Sequence, residues 1–199
     1  MKGICFIEPL HGKTVKNIKV QTRRIIPNCD SLRESPFKKS GYETWHGKEL
    51  KPRYNVGEIL YLKEPYYELP FGGYQYKFDE NIFYYEYKNK LFMPASAARH
   101  FIKITAVRAE RLQDISDKDC IKEGIYQTEC IAEDYFEPVY ENGYNATSKK
   151  SGILCIQYDT PREAYAALID AINGKNTWDN NPWVWVYDYE LIDRKEVQL

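Results

Sequence analysis

The stretch NIKVQTRR at Asn17–Arg24 decides how this chain is interpreted, because cations and a hydroxyl group alternate along it. Successive side chains of an extended strand point to opposite faces of a sheet. Both faces of a strand over this stretch therefore carry a cation, and one polar set is expected to line a cleft. An ordinary surface strand is the alternative. The two sets are Lys19, Gln21 and Arg23 on one face, and Val20, Thr22 and Arg24 on the other.

The remaining sequence predicts several short strands and a few helices. Apolar patterning predicts strands over 2–7, 19–26, 58–63, 101–112 and 182–192, with a hairpin formed by 74–78 and 82–87. Capping residues predict helices that begin at Pro9, Ser116 and Thr160, the last two of which end at Gly124 and Gly174. We therefore expect an α+β fold that is mainly β, with about three short helices carried on a mixed β-barrel.

A single domain spanning 1–199 is expected from the length and from a hydrophobic content of 43%. Two segments without a clear period, 28–52 and 126–158, are predicted to be loop insertions, and the first resembles a loop or lid. The chain contains 18 tyrosines, which suit half-buried strands because the ring packs while the hydroxyl stays hydrated.

Charge is divided unevenly along the chain, although the formal net charge is only −1. Residues 1–63 contain 13 Lys and Arg against 6 Asp and Glu, whereas the remainder contains 15 against 23. The basic first third could face phosphate, or the acidic remainder could neutralise it within the fold. The sequence leaves both alternatives open.

Neither a metal site nor a cofactor is expected. The five cysteines include no CxxC pair, and the three histidines (His11, His46 and His100) are scattered. No signal peptide and no apolar run near 18 residues is found, so we expect a cytoplasmic protein without membrane contact.

Four motifs in the same order resemble the ASCH domain family, whose signature is written G-x-K-x-x-E-x-R. The lysine and arginine match Lys19 and Arg24, whereas Asn17 stands at the glycine and Thr22 at the glutamate. A phage and prophage branch of unknown function is similar from end to end. Its K-T-Q-T-R-R, V-G-D-x-L-Y-V-R-E, D-I-S-x-x-D-A-x-x-E-G-I and N-P-W-V-W-V motifs correspond here to Lys19–Arg24, Val56–Glu64, Asp114–Ile125 and Asn181–Val186. The resemblance implies a PUA-like barrel.

A more remote resemblance to bacterial N4-acetylcytidine amidohydrolases implies catalytic roles for Lys19, Thr22 and Glu123. It implies a metal-independent amidohydrolase that removes an acyl group from a modified nucleoside. On a regular strand Lys19 and Thr22 point to opposite faces, so catalysis requires an irregularity between them. The plainer alternative is that Lys19 and Glu123 form a salt bridge that pins a helix to a strand.

Further polar residues are candidate ligand contacts, and nucleoside or RNA is the expected partner. An arginine beside a barrel mouth pairs with a nearby glutamate or binds an anion, and a tryptophan there stacks on a base or packs in the core. Two other functions stay open: a non-catalytic RNA-binding module that uses the same cleft, and a phage-derived accessory protein that acts through a protein partner. The candidate contacts are Arg23, Arg24, Glu64, Arg99, Asn181 and Trp183.

Overall fold

The computed structural model describes residues 1–79, 86–129, 134–137 and 158–197. The fold is α+β, with 27% helix and 31% strand. Its strands are β1 (Lys2–Cys5), β2 (Gln21–Ile25), β3 (Arg33–Glu34), β4 (Tyr42–Glu43), β5 (Ile59–Lys63), β6 (Tyr66–Glu68), β7 (Tyr74–Tyr76), β8 (Phe101–Arg111), β9 (Tyr126–Glu129), β10 (Asp134–Glu137) and β11 (Trp183–Ile192). Its helices are α1 (Glu8–Val15), α2 (Asp117–Lys122), α3 (Pro161–Asn173) and α4 (Thr177–Asn180), with 3-10 turns at Lys90–Phe92, Ala95–Ala97, Leu112–Asp114 and Arg194–Glu196.

A five-stranded mixed sheet, in the order β1-β5-β8-β11-β2, organises the molecule. β1 runs parallel to β5, and the other neighbours are antiparallel. In the central pairings Trp185 of β11 lies opposite Arg24 of β2 and Ala109 of β8. These five strands are the ones that hydrophobic patterning predicts, so that part of the prediction is confirmed, with β2 shorter than expected.

The prediction of a PUA-like barrel is wrong, because β1 and β2 are the two edges of an open sheet. No backbone hydrogen bond joins these edges within the described ranges. Side chains bind the β1 edge instead. Arg24 Nη2 donates to Cys5 O at 2.9 Å, and Lys90 Nζ donates to Phe6 O at 2.7 Å. Backbone carbonyls need hydrogen-bond donors, and here two long side chains supply them at the end of β1.

The helices pack with the sheet around one main core. Two of them start as the sequence predicts: Ser116 accepts from Asp119 N before α2, and Thr160 accepts from Glu163 N before α3. α3 ends before Gly174, whose φ of +107° suits glycine. The longest helix has 13 residues, and no helix in the described part of the chain is long and apolar enough to cross a membrane. The core includes Ile4, Leu10, Leu62, Ile104, Cys120, Leu168 and Val186.

The predicted insertions contain more regular structure than expected. Segment 28–52 holds the short antiparallel pair β3–β4. The start of 126–158 forms the antiparallel pair β9–β10, because residues 126–129 and 134–137 are extended, while 130–133 and 138–157 lie outside the described residues. β7 pairs with β6, and most of its predicted partner, 82–87, also lies outside the described residues.

Candidate functional site

Lys19 lies two residues before β2 begins, so strand alternation does not control the direction of its side chain. Asn17 has a φ of +57°, a left-handed conformation that asparagine tolerates. Lys19 N then donates to Lys13 O at 3.2 Å, and Val20 N donates to Lys122 O at 2.9 Å. The chain therefore enters β2 from a turn held by α1 and the end of α2. The predicted separation of Lys19 from Thr22 on opposite strand faces does not apply.

Lys19 and Glu123 form a buried ion pair at this entry point. Lys19 Nζ donates to Glu123 Oε2 at 2.5 Å, to Glu123 O at 2.9 Å and to Gln21 O at 2.6 Å. The two side chains are 1% and 5% exposed. Burial lowers the pKa of Lys19, and the Glu123 carboxylate opposes that shift. The pair joins the end of α2 to the start of β2, as expected if Lys19 and Glu123 form a salt bridge that pins a helix to a strand.

Arg23 extends this pair into a network of compensated charges. Its guanidinium contacts Glu123 at 3.1 Å, Glu110 at 2.6 Å and Asp119 at 3.4 Å. Arg108 bonds to the same Glu110 and Asp119 carboxylates, at 3.1 and 3.0 Å. Glu123 therefore accepts hydrogen bonds from two cations, Lys19 and Arg23. Arg23, a predicted ligand contact, is occupied by carboxylates.

A cavity of about 170 Å³, which we call the inner cavity, lies beside the Lys19–Glu123 pair. Thr22 lines it with both members of the pair, so the three predicted catalytic residues meet at one cavity. No hydrogen bond joins Lys19 to Thr22 among the described residues. An engineered cavity of about 150 Å³ binds benzene, so the inner cavity has room for a single ring. It is smaller than the roughly 300 Å³ at which typical ligand sites begin.

Tyr165 lines the inner cavity and is the main residue there that sequence patterning missed. It is 1% exposed, and its hydroxyl has no hydrogen-bond partner in the part of the chain that the structure describes. Burial raises the pKa of Tyr165 further above its ordinary value, so the phenol stays protonated and can donate. The sequence placed it on the apolar face of α3. The available signal was one hydroxyl among aliphatic neighbours such as Leu168 and Ile169.

The inner cavity is also lined by basic side chains that lie outside the carboxylate network of Arg23. Arg24 and Lys90 line it, and within the described ranges neither has an acidic partner. Arg24 Nη2 and Lys90 Nζ donate instead to the backbone carbonyls of Cys5 and Phe6. Arg24 was predicted as a ligand contact, and the structure places it on the cavity wall.

Glu64 and Arg99 form their own ion pair and do not line the inner cavity. Arg99 donates from Nε and Nη2 to the two Glu64 carboxylate oxygens, each at 2.8 Å, which confirms the predicted pairing. Arg99 Nη1 also contacts Asp79 at 2.6 Å, and its guanidinium lies 4.1 Å from the centre of the Tyr76 ring. Burial raises the pKa of Glu64, and Arg99 opposes the shift.

Asn181 and Trp183 lie at the junction of β8 and β11 and do not line the inner cavity. Asn181 Oδ1 accepts from Gln113 N at 2.8 Å, and Asn181 O accepts from Arg111 Nη1 at 3.0 Å. The Arg111 guanidinium lies 4.6 Å from the Trp183 ring centre. Asn181 thus bonds to neighbouring residues and Trp183 stacks with Arg111, while the buried Trp183 Nε1 has no hydrogen-bond partner among the described residues.

Comparison with protein-family models, with curated proteins and with solved structures finds no match. The ASCH resemblance therefore stays a prediction that rests on the four ordered motifs. In the part of the chain that the structure describes, no group of three or more His, Cys, Asp or Glu side chains is arranged to hold a metal ion.

We expect Lys19→Met to lower the free energy of unfolding by roughly 3 kcal/mol, because it leaves the buried Glu123 carboxylate with one cation fewer. Lys2→Met is the matched control. Lys2 pairs with Glu58 at 2.9 Å but is 50% exposed, and such pairs contribute at most about 1 kcal/mol. Urea denaturation measures both variants. Equal losses for the two would contradict a structural role for the Lys19–Glu123 pair.

Two histidines with lowered pKa values predict that the free energy of unfolding decreases at acid pH. His11 is 2% exposed, and its ring centre lies 5.9 Å from that of His100. Burial, reinforced by neighbouring cations, lowers the pKa of His11 from 6.5 to about 3 and that of His100 to about 4. Such a histidine has a lower pKa in the folded protein than in the unfolded chain. Its contribution to the free energy of unfolding is fully present above the unfolded pKa and is lost as pH falls through the folded pKa.

We therefore expect the free energy of unfolding to fall as pH drops below 6.5, the unfolded pKa, toward 4. His11→Leu should flatten that slope, because the variant has one buried base fewer to protonate. His46→Leu, at an exposed site, controls for the loss of a histidine. Chemical denaturation at a series of pH values measures the slopes. An unchanged slope in His11→Leu would show that His11 does not cause the loss.

Proposed function

We propose that the inner cavity binds the planar base of a nucleoside. The observation that carries this proposal is the buried Tyr165 hydroxyl, which belongs to the cavity lining and has no hydrogen-bond partner among the described residues. A buried hydroxyl without a partner costs about 1–3 kcal/mol, so a ligand that accepts its hydrogen bond recovers that free energy. The exocyclic and ring acceptors of a base are suitable partners.

The composition of the cavity wall supports a base rather than a simple inorganic anion. Phe6 and the aliphatic side chains Leu168 and Ile169 provide apolar surface, while Arg24 and Thr22 provide polar atoms. Ligand sites commonly combine an apolar lining with a few polar groups that fix orientation. The resemblance of the Lys19–Arg24 motif to ASCH proteins also supports a nucleoside.

Replacing Tyr165 by phenylalanine should separate binding from stability. We expect Tyr165→Phe to raise the free energy of unfolding by about 1 kcal/mol, because it removes an unpaired buried hydroxyl. The same variant should bind N4-acetylcytidine roughly tenfold more weakly, because the ligand loses a hydrogen bond of about 1.4 kcal/mol. Isothermal titration calorimetry and urea denaturation measure the two effects.

Tyr189→Phe is the matched control for this experiment. Tyr189 is also a buried tyrosine, but its hydroxyl bonds to Thr14 Oγ1 at 3.1 Å and it does not line the inner cavity. That variant should be less stable and should bind normally. Undiminished binding by Tyr165→Phe would exclude a ligand contact with this hydroxyl.

Hydrolysis of an N-acyl group is a second candidate function, favoured by the meeting of Thr22 with the Lys19–Glu123 pair at one cavity. In the structure Lys19 Nζ donates three hydrogen bonds and cannot accept a proton. It becomes a base only after passing a proton to Glu123. Burial lowers the pKa of Lys19 and favours that transfer, whereas Arg23 opposes it by stabilising the carboxylate.

The reaction would then proceed through an acyl-threonine. Thr22 Oγ1 attacks the amide carbonyl carbon while its proton moves to Lys19 Nζ, and a donor such as Arg24 stabilises the oxyanion. The C–N bond breaks and the departing amine takes the proton from Lys19. Water then hydrolyses the ester, which releases the carboxylic acid and restores the hydroxyl, and Glu123 returns its proton to Lys19.

This candidate predicts release of acetate from N4-acetylcytidine by the unaltered protein and by Thr22→Ser, but not by Thr22→Val. Valine keeps the shape of threonine and removes the nucleophile, whereas serine retains it. Liquid chromatography of cytidine formation over time provides the measurement. Binding without turnover by the unaltered protein would reject hydrolysis and leave a non-catalytic binding module. Equal turnover by Thr22→Val would exclude Thr22 as the nucleophile.

A further inference from the structure

A larger cavity of about 760 Å³, which we call the outer cavity, adjoins the inner one. Arg24, Cys5 and Asn173 line both. The outer cavity lies at the β1 and β2 edges and is bounded on another side by residues 49–51 of the 28–52 segment. Its size falls within the range of roughly 300–1,000 Å³ that is usual for ligand sites. A ligand whose ring lies in the inner cavity can therefore extend past Arg24 into the outer cavity.

The outer cavity carries cations that lack acidic partners. Arg24, Arg53 and Lys63 line it, and none of them forms an ion pair with a described residue. Among the described residues that line it, Glu49 is the one acidic side chain, and it pairs with Lys51 at 3.1 Å. The cavity thus has an excess of positive charge, in contrast to the carboxylate network around Arg23.

Two of these basic side chains, Lys63 and Arg24, are held in place by bonds to backbone carbonyls, which leaves donor capacity for a ligand. Lys63 Nζ donates to Leu91 O at 2.7 Å, and the aliphatic chain of Lys63 lies over Gly3. A Cβ at Gly3 would come 2.4 Å from Lys63 Cε, so glycine leaves the space that the lysine crosses. One N–H of Arg24 binds Cys5 O, and the rest of its guanidinium can still donate.

We propose that the outer cavity binds the phosphate of a nucleotide whose base occupies the inner cavity. This inference rests on the proposed function and names its ligand class: a nucleoside phosphate rather than a free nucleoside. Phosphate oxygens accept paired hydrogen bonds from arginine and strong charge-assisted bonds from lysine. Arg24 lies on the wall between the two cavities, where the sugar of such a ligand would pass.

The test compares cytidine with cytidine 5′-monophosphate by calorimetry, at two salt concentrations. The monophosphate should bind at least tenfold more tightly at low salt, and its advantage should shrink as salt rises. Arg53→Gln and Lys63→Gln should reduce this advantage severalfold and leave cytidine binding unchanged, because neither residue lines the inner cavity. Lys88→Gln, an exposed lysine paired with Glu68 and lining neither cavity, should change nothing.

A short single-stranded RNA and inorganic phosphate complete the experiment. Tighter binding of the RNA than of the monophosphate would assign the site to a phosphodiester, and the reverse to a terminal phosphate. Equal affinity for cytidine and its monophosphate would overturn the phosphate site and leave the base site standing. Phosphate binding that depends on Arg53, without cytidine binding, would keep the outer site and overturn the proposed base site. Failure of every probe to bind would overturn both.

Discussion

The buried ion pair between Lys19 and Glu123 is the constraint on which the candidate site depends. Charged groups are stable at such burial only when paired and hydrogen-bonded. The pair fixes the end of α2 against the start of β2 and thereby sets the direction in which β2 leaves the turn. Arg23 then adds a second cation on Glu123, and Thr22 is placed at the cavity. A change in this pair would alter the cavity wall as well as the stability.

The open sheet explains why the cavities lie where they do. Within the described ranges β1 and β2 are the edge strands of the sheet, and side chains rather than a further strand bond to the backbone at the β1 edge. Arginine and lysine are long enough to reach the carbonyls of β1 while keeping donors for other partners. The arginine and lysine side chains that donate to these carbonyls therefore also make the space beside the edge strand basic.

The basic residues of the first third of the chain divide between the two alternatives that the sequence left open. Some are neutralised by acidic residues, and others face a cavity. Acidic residues from the later part of the chain neutralise Lys19 and Arg23. Arg24 and Arg53 have no such partner among the described residues and face a cavity instead. Tyr165 shows a related compromise, because an unpaired hydroxyl lowers stability in the free protein and offers a hydrogen bond to a ligand.

The sequence by itself determined the five strands of the main sheet and the caps of α2 and α3, because these features follow from local periodicity and capping chemistry. A shared site for Lys19, Thr22 and Glu123 was implied only by a remote family resemblance, and the structure places all three on one cavity. Only the tertiary structure decided that the sheet stays open, since edge pairing depends on contacts between distant segments rather than on the pattern within a strand. It likewise decided the surroundings of single side chains. Arg23 and Arg24 are neighbours in the sequence and both line the inner cavity. The Arg23 guanidinium is nevertheless occupied by carboxylates, whereas Arg24 bonds to a backbone carbonyl and also lines the outer cavity, because their partners come from distant segments of the chain.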